Sequence, residues 1–332
     1  MSANKYNLAM KASTANETLM ELATDSDDAV RLAVARNPSS KEAVLQVLAL
    51  DKNMDVRDSV LTHHAAPEGL VLSMLSEASL VSKCSLAQRK ELTPQICAAL
   101  FADASEKVLS RLGRNESAPE HILRQLGAHL SDNVRKAVAT NPCCPLDLLL
   151  ELSRDPKPEV VGRCASNTSM PPYRLDELAR ESGTKPDAKK IFVAGNRSAD
   201  ASTLTWLLEL DENYVSILQD VIKNPSLPFV DKLRVAFLGL KDSISGELKT
   251  WIRAKPGEFW RDFAADGSLR LQDEITYSGR KAIFGEELIE AGMIEAYQTI
   301  LCVELERGVS AAGTAHEQIN EHLPAASRKR MM

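Results

Sequence analysis

The segment Val30-Arg31-Leu32-Ala33-Val34-Ala35-Arg36-Asn37-Pro38 returns as Val134-Arg135-Lys136-Ala137-Val138-Ala139-Thr140-Asn141-Pro142, and this internal repeat constrains the fold more than any other feature of the chain. Read along the sequence, a polar residue recurs seven positions after an apolar or long one. The polar positions are Asn37, His63, Gln88, Asn115, Asn141, Asn167, Asn196 and Asn224, at spacings of 26, 25, 27, 26, 26, 29 and 28. Proline follows four residues later in five units, at Pro67, Pro119, Pro145, Pro171 and Pro228. Asp25, Asp51, Asp103 and Asp155 each lie five residues before the apolar anchor of their unit. A period of this length marks an array of small units, none of which buries its apolar side without a neighbour.

Each unit reads as two short helices. Proline opens the first, where its missing N–H is no loss, and leucines follow at helical spacing, as in Leu146, Leu148, Leu149, Leu150 and Leu152. An Asp-containing turn leads into a briefer second helix, as over 134–139, which ends before Asn-Pro because the residue ahead of proline avoids the α region. The expectation is an all-α, right-handed α-solenoid of about eight two-helix repeats with helical caps. Residues 1–24 are expected to cap the N-terminal end, and 25–228 to carry the repeats. Residues 229–307 are expected to be a helical C-terminal cap or docking region, with aromatics concentrated at Trp251, Phe259, Trp260 and Phe263. The Gly-, Ala- and Ser-rich stretch 308–332 is expected to be a disordered tail.

The pattern V-R-x-x-V-A-x-N-P-x-x-P followed by L-x-x-L-A-x-D resembles the leucine-rich repeat variant family, with HEAT-type repeats as near relatives. The resemblance covers about residues 14–230 and is strongest around Asn37 and Asn141. It implies a stack of alternating longer and shorter helices. A characterised member of the family holds an iron–sulphur cluster on an N-terminal cysteine motif. No cysteine precedes Cys84 here, so that cofactor is not carried over.

Motifs that would carry chemistry are missing. There is no phosphate-binding glycine loop, nucleophile elbow or HExxH pair, and no CxxC among the six cysteines. His63-His64 replaces the Asn-Pro of its unit and reads as a repeat variation. Cys143-Cys144 reads as a pair of small turn residues. The chain is therefore expected to be no enzyme and to need no cofactor or metal. No run of about 18 apolar residues spans a membrane. The first residues lack the apolar core of a secretion signal, so a cytoplasmic location with reduced thiols is expected.

The asparagine row is expected to form a ladder, each short amide leaving its helix to bond a neighbouring backbone group. Charge supplies the functional clue. The eight windows from anchor to polar residue hold twelve basic and two acidic residues, a net +10, in a chain whose overall charge is −6. Equivalent positions in a solenoid become faces, so Arg31, Arg57, Arg111, Arg114, Arg135, Lys136, Arg163, Lys189 and Lys190 are candidates for a continuous basic stripe. Pairing with preceding acidic turns, such as Asp27 or Asp28 with Arg31, is the competing account. The expected function is a binding scaffold for an acidic protein or peptide. The alternative is a nucleic-acid-binding protein, extending to a HEAT-like DNA glycosylase; the overall negative charge and few repeat aromatics weigh against it. No small-molecule substrate is evident.

Overall fold

The computed structural model describes residues 2–103, 105–185, 187–210, 215–239 and 242–322, without the side chains of 2, 242–245 and 309–322. It is an all-α repeat solenoid, with one β-hairpin among the described residues, in the C-terminal region. The chain divides into two compact units between Arg174 and Leu175.

In the first unit, pairs of helices recur along the chain. Asn16–Leu22 and Asp28–Arg36 form the first pair, Glu42–Leu48 and Met54–Leu61 the second, and Glu120–Gly127 and Asp132–Thr140 the fifth. Each helix buries one narrow stripe. Val30, Val34, Leu45, Leu48, Val56 and Val60 are fully buried and belong to one contiguous core. Pro67, Pro119 and Pro145 stand at the N-cap rather than inside the first turn, with φ between −54° and −66° and extended ψ.

The structure shifts the repeat register in the third unit. Asn115 bonds the carbonyl of Arg89, 26 residues back, as Asn141 bonds that of Asn115. The row position is therefore Arg89, not Gln88. The anchor becomes the buried Ser82 in place of Val81, whose side chain is 75% exposed. With this correction the first five spacings are all 26. The N-terminal cap is also shorter than expected. Helix Ser2–Met10 stands in the place of a second helix, since Asn37 bonds the carbonyls of Ala9 and Lys11. Asn16–Leu22 already belongs to a complete repeat.

The ladder has a clear purpose. The last carbonyls of a helix have no partner within it. Asn141 Nδ2 donates to Gly113 O at 2.9 Å and Asn115 O at 2.8 Å, and its Oδ1 accepts from Cys143 N at 2.8 Å. Asn167 repeats the pattern on Ala139 and Asn141. One amide thus closes the end of the preceding second helix and its own turn together, which is why the buried row is asparagine.

In the second unit, helices Ala201–Leu208 and Val215–Lys223 end in the rung of Asn224 on Ala194 and Asn196. Beyond it the pattern changes, through helices Phe229–Leu238, Asp242–Arg253 and Gly257–Asp266. An unexpected antiparallel hairpin pairs Glu274–Tyr277 with Arg280–Ile283. Its two-residue turn, Ser278-Gly279, has positive φ at both positions, the geometry that matches strand twist. Trp260 and Phe263 are buried edge-to-face against Phe229, the interior of this region. The final helix runs Ile294–His322, past residue 308 where the tail is expected to begin; 323–332 lie outside the described residues.

Candidate interaction surface

The candidate basic residues do not form one stripe. Three of the row's cations are internal rungs. Arg31 is buried, donating from Nε to Asp51 Oδ2 at 2.6 Å and from Nη2 to Oδ1 at 3.0 Å, while Nη1 donates to the carbonyls of Asp25 and Ser26. Arg135 does the same with Asp155 and with the carbonyls of His129 and Leu130. Lys83 reaches Asp103 at 2.7 Å, and in the terminal half-unit Lys5 reaches Asp25 at 2.7 Å. Every such pair is 20 residues apart, a cation on one unit with the aspartate turn of the next. The acid that neutralises Arg31 therefore follows it, and is not Asp27 or Asp28. Burial pushes the Asp51 and Asp155 carboxyls up, but hydrogen bonds from Arg31 and Arg135 and from backbone N–H groups outweigh it, and both end below the usual carboxylate range.

The other candidates scatter. Arg57 donates to the carbonyls of Asp51 and Lys52 and forms no ion pair among the described residues; Glu77 stands 20 residues ahead, where the other rungs have aspartate. Lys190 is wholly buried, bonded to Ser182 Oγ with Asp187 at 3.8 Å. Lys189 pairs with Glu181 at 2.7 Å, and Lys136 lies 3.4 Å from Asp132. Arg111, Arg114 and Arg163 remain exposed, without an ion pair among the described residues.

Two of these exposed arginines come together with cations that the sequence pattern does not single out. Arg111 and Arg114, from helix Glu106–Arg114, line a recess of about 450 Å³ with Arg89 and Lys90 from the preceding unit. Glu116 is the single acid in its lining. Arg89 donates from Nη2 to His64 O at 3.2 Å and reaches no carboxylate. Burial lowers its proton affinity, with Glu91 opposing. Carrying the 26-residue spacing strictly through the third unit would have placed Arg89 in the ladder row. There its long side chain does not reproduce the asparagine's pair of bonds; it donates to His64 O and stays half-buried beside the recess.

Asp55 and Asp58, with Arg36, Ser59, Ser85 and the His63-His64 pair, line a separate recess of about 760 Å³. His63 itself is buried and stands in for asparagine, with Nε2 2.9 Å from Asn37 O and Nδ1 accepting from Ala65 N at 3.1 Å. That pair of bonds requires the neutral Nε2–H tautomer, and burial pushes its proton affinity down.

Among the described residues no three His, Cys, Asp or Glu side chains gather as metal ligands would. Burial pushes the thiols of Cys97 and Cys144 up to about 11 and about 12, away from nucleophilic use. No helix among the described residues is long and apolar enough to cross a membrane.

Residues 132–157, one full period, match the leucine-rich repeat variant family. A solved structure described as a leucine-rich repeat variant with a novel repetitive structural motif aligns over 58% of this chain and 82% of its own, at 24% identity and a TM-score of 0.42. No curated protein matches the chain.

Proposed function

We propose that this solenoid, whose repeats are of the leucine-rich repeat variant type, is a non-catalytic scaffold that binds an acidic protein segment at the recess of Arg89, Lys90, Arg111 and Arg114. One observation carries the reading: the partition of the basic row into neutralised and unneutralised members. Arg31, Lys83 and Arg135 spend their charge on the next unit's aspartate. The four recess cations have no carboxylate in ion-pair range among the described residues. Their mutual repulsion is a standing cost that an anionic partner relieves, and a concentrated positive field also speeds capture of such a partner. An extended acidic segment suits a row of second helices better than a compact ligand does.

The test uses two polyanions on the intact protein. Poly-L-glutamate should be retained at low salt, and Arg111→Glu with Arg114→Glu should weaken its binding at least tenfold, about 1.4 kcal/mol, with the helical circular dichroism unchanged. Single-stranded DNA is the comparison. If it binds more tightly than polyglutamate, with affinity falling steeply as salt releases its counterions, the nucleic-acid reading replaces this one. Unchanged polyglutamate binding by the reversed variant would remove the recess from consideration.

A further inference from the structure

The end of the ladder in the second unit carries a second site. Asn224 is the last rung, and no further asparagine arrives to take its carbonyl. Lys232 Nζ donates to it instead, at 3.1 Å. This holds the Lys232 stem against the last repeat helix, Val215–Lys223, beside helix Asp242–Arg253. A recess of about 360 Å³ lies there, with Ile222, Leu248 and Trp251 as apolar walls and Lys223 and Lys232 on its lining. Lys255 Nζ sits 3.7 Å from the centroid of the Trp251 ring and Lys232 Nζ 5.7 Å from it.

Capping accounts for Trp260 and Phe263, which are buried. It does not account for Trp251, which stays 44% exposed while two ammonium groups flank its ring. Lys223, Lys232 and Lys255 form no ion pair among the described residues, and Glu247, the one acid on the lining, neutralises none of them. Burial and the neighbouring Lys255 both push Lys232 down, the signature of cations held close without an anion. An indole ring, aliphatic walls and the lysines of the lining, with Lys255 beside the ring, form a concavity at the small end of ligand pockets that suits a compact molecule with an apolar body and one negative group.

We propose that this recess binds an apolar monocarboxylate, its ring or chain against Trp251, Ile222 and Leu248 and its carboxylate at Lys232, with Lys255 beside the Trp251 ring adding to the positive field. The site lies wholly within the second unit and does not depend on the basic recess of the first.

Calorimetric titration with 3-phenylpropionate tests it. Saturable binding of one molecule per chain is expected, with a Kd below about 1 mM. Acetate, which lacks the ring, and 3-phenylpropan-1-ol, which lacks the charge, should each bind at least tenfold more weakly. Lys255→Gln leaves the Lys232 bond to Asn224 in place, so it removes charge without opening the ladder end, and should weaken phenylpropionate at least tenfold. Trp251→Leu should do likewise with helical content retained. The Arg111→Glu, Arg114→Glu variant should bind the probe as the wild type does. No saturable heat, equal binding of the alcohol, or an undiminished Lys255→Gln variant would overturn the assignment.

Discussion

Two stretches of the first unit are built to the same 26-residue plan and finish it differently. Between Glu106 and Met170 the ladder is all asparagine, and Asn115, Asn141 and Asn167 each donate to two carbonyls of the unit before. Between Met54 and Lys90 the same positions are His63 and Arg89, and of the two cation rungs there Lys83 pairs with Asp103 while Arg57 has no carboxylate partner among the described residues. Histidine satisfies one carbonyl where asparagine satisfies two. Arginine reaches one neighbouring carbonyl of the unit before, His64 O, and stays half-buried at the edge of the recess. The difference teaches that the backbone plan survives loss of individual rungs, and that a position released from the ladder becomes available for contact. The basic recess begins where the ladder lapses.

The largest effect should come from contrasting a closed rung with an open one. Asp51→Ala leaves the Arg31 guanidinium buried without its carboxylate, both side chains being only 6% exposed in the wild type, and should cost about 3–5 kcal/mol. Arg57→Met, at the open rung, should cost under about 1 kcal/mol. Denaturant unfolding of the two variants compares them directly; equal losses would mean the rungs are not distinct.

Next in size is the ladder itself. Asn141→Ala strands Gly113 O and leaves Asn115 O with the Ala118 N–H alone in a buried site, and should cost about 1–3 kcal/mol, whereas Arg89→Ala, which removes one long bond to His64 O, should shift the unfolding midpoint little. A large loss from Arg89→Ala would show that its side chain is structural.

The smallest effect is one of pH. The folded state holds His63 neutral, with its proton affinity below that of the unfolded chain. Stability present above the ordinary imidazole value is therefore lost as pH falls below about 6.5 through the folded value. His63→Asn should abolish that loss and close the rung in full. Unfolding midpoints of the two proteins compared at neutral and mildly acidic pH check it. Asp51 and Asp155 lie below the ordinary carboxylate value, so their contribution is lost only in stronger acid and leaves this window clear.

The period, the helix pairs, the buried valines and leucines and the asparagine ladder were all legible in the sequence. Each rests on a local pattern: an apolar stripe at helical spacing, a proline or Asn-Pro stop, a short amide at a helix end. In the third unit Val81 imitates an anchor, which displaces the apparent row position from Arg89 to Gln88. The Ser278-Gly279 hairpin was written in its turn residues but overshadowed by the helical run around it.

What only the tertiary structure decided is the fate of each charge. Arg31 and Arg111 lie in equivalent windows and look alike by composition. One, a residue after its anchor, is a buried rung against the aspartate 20 residues ahead; the other, three residues after its anchor, is exposed and pairs with no carboxylate among the described residues. Trp251 and Trp260 are likewise the same residue type nine positions apart, one half-open beside two lysines and one sealed among phenylalanines. A sequence determines which side chains are apolar and how often they recur. Whether a charge is neutralised depends on what the adjacent layer brings within about 3 Å of it, and that is a property of the stack.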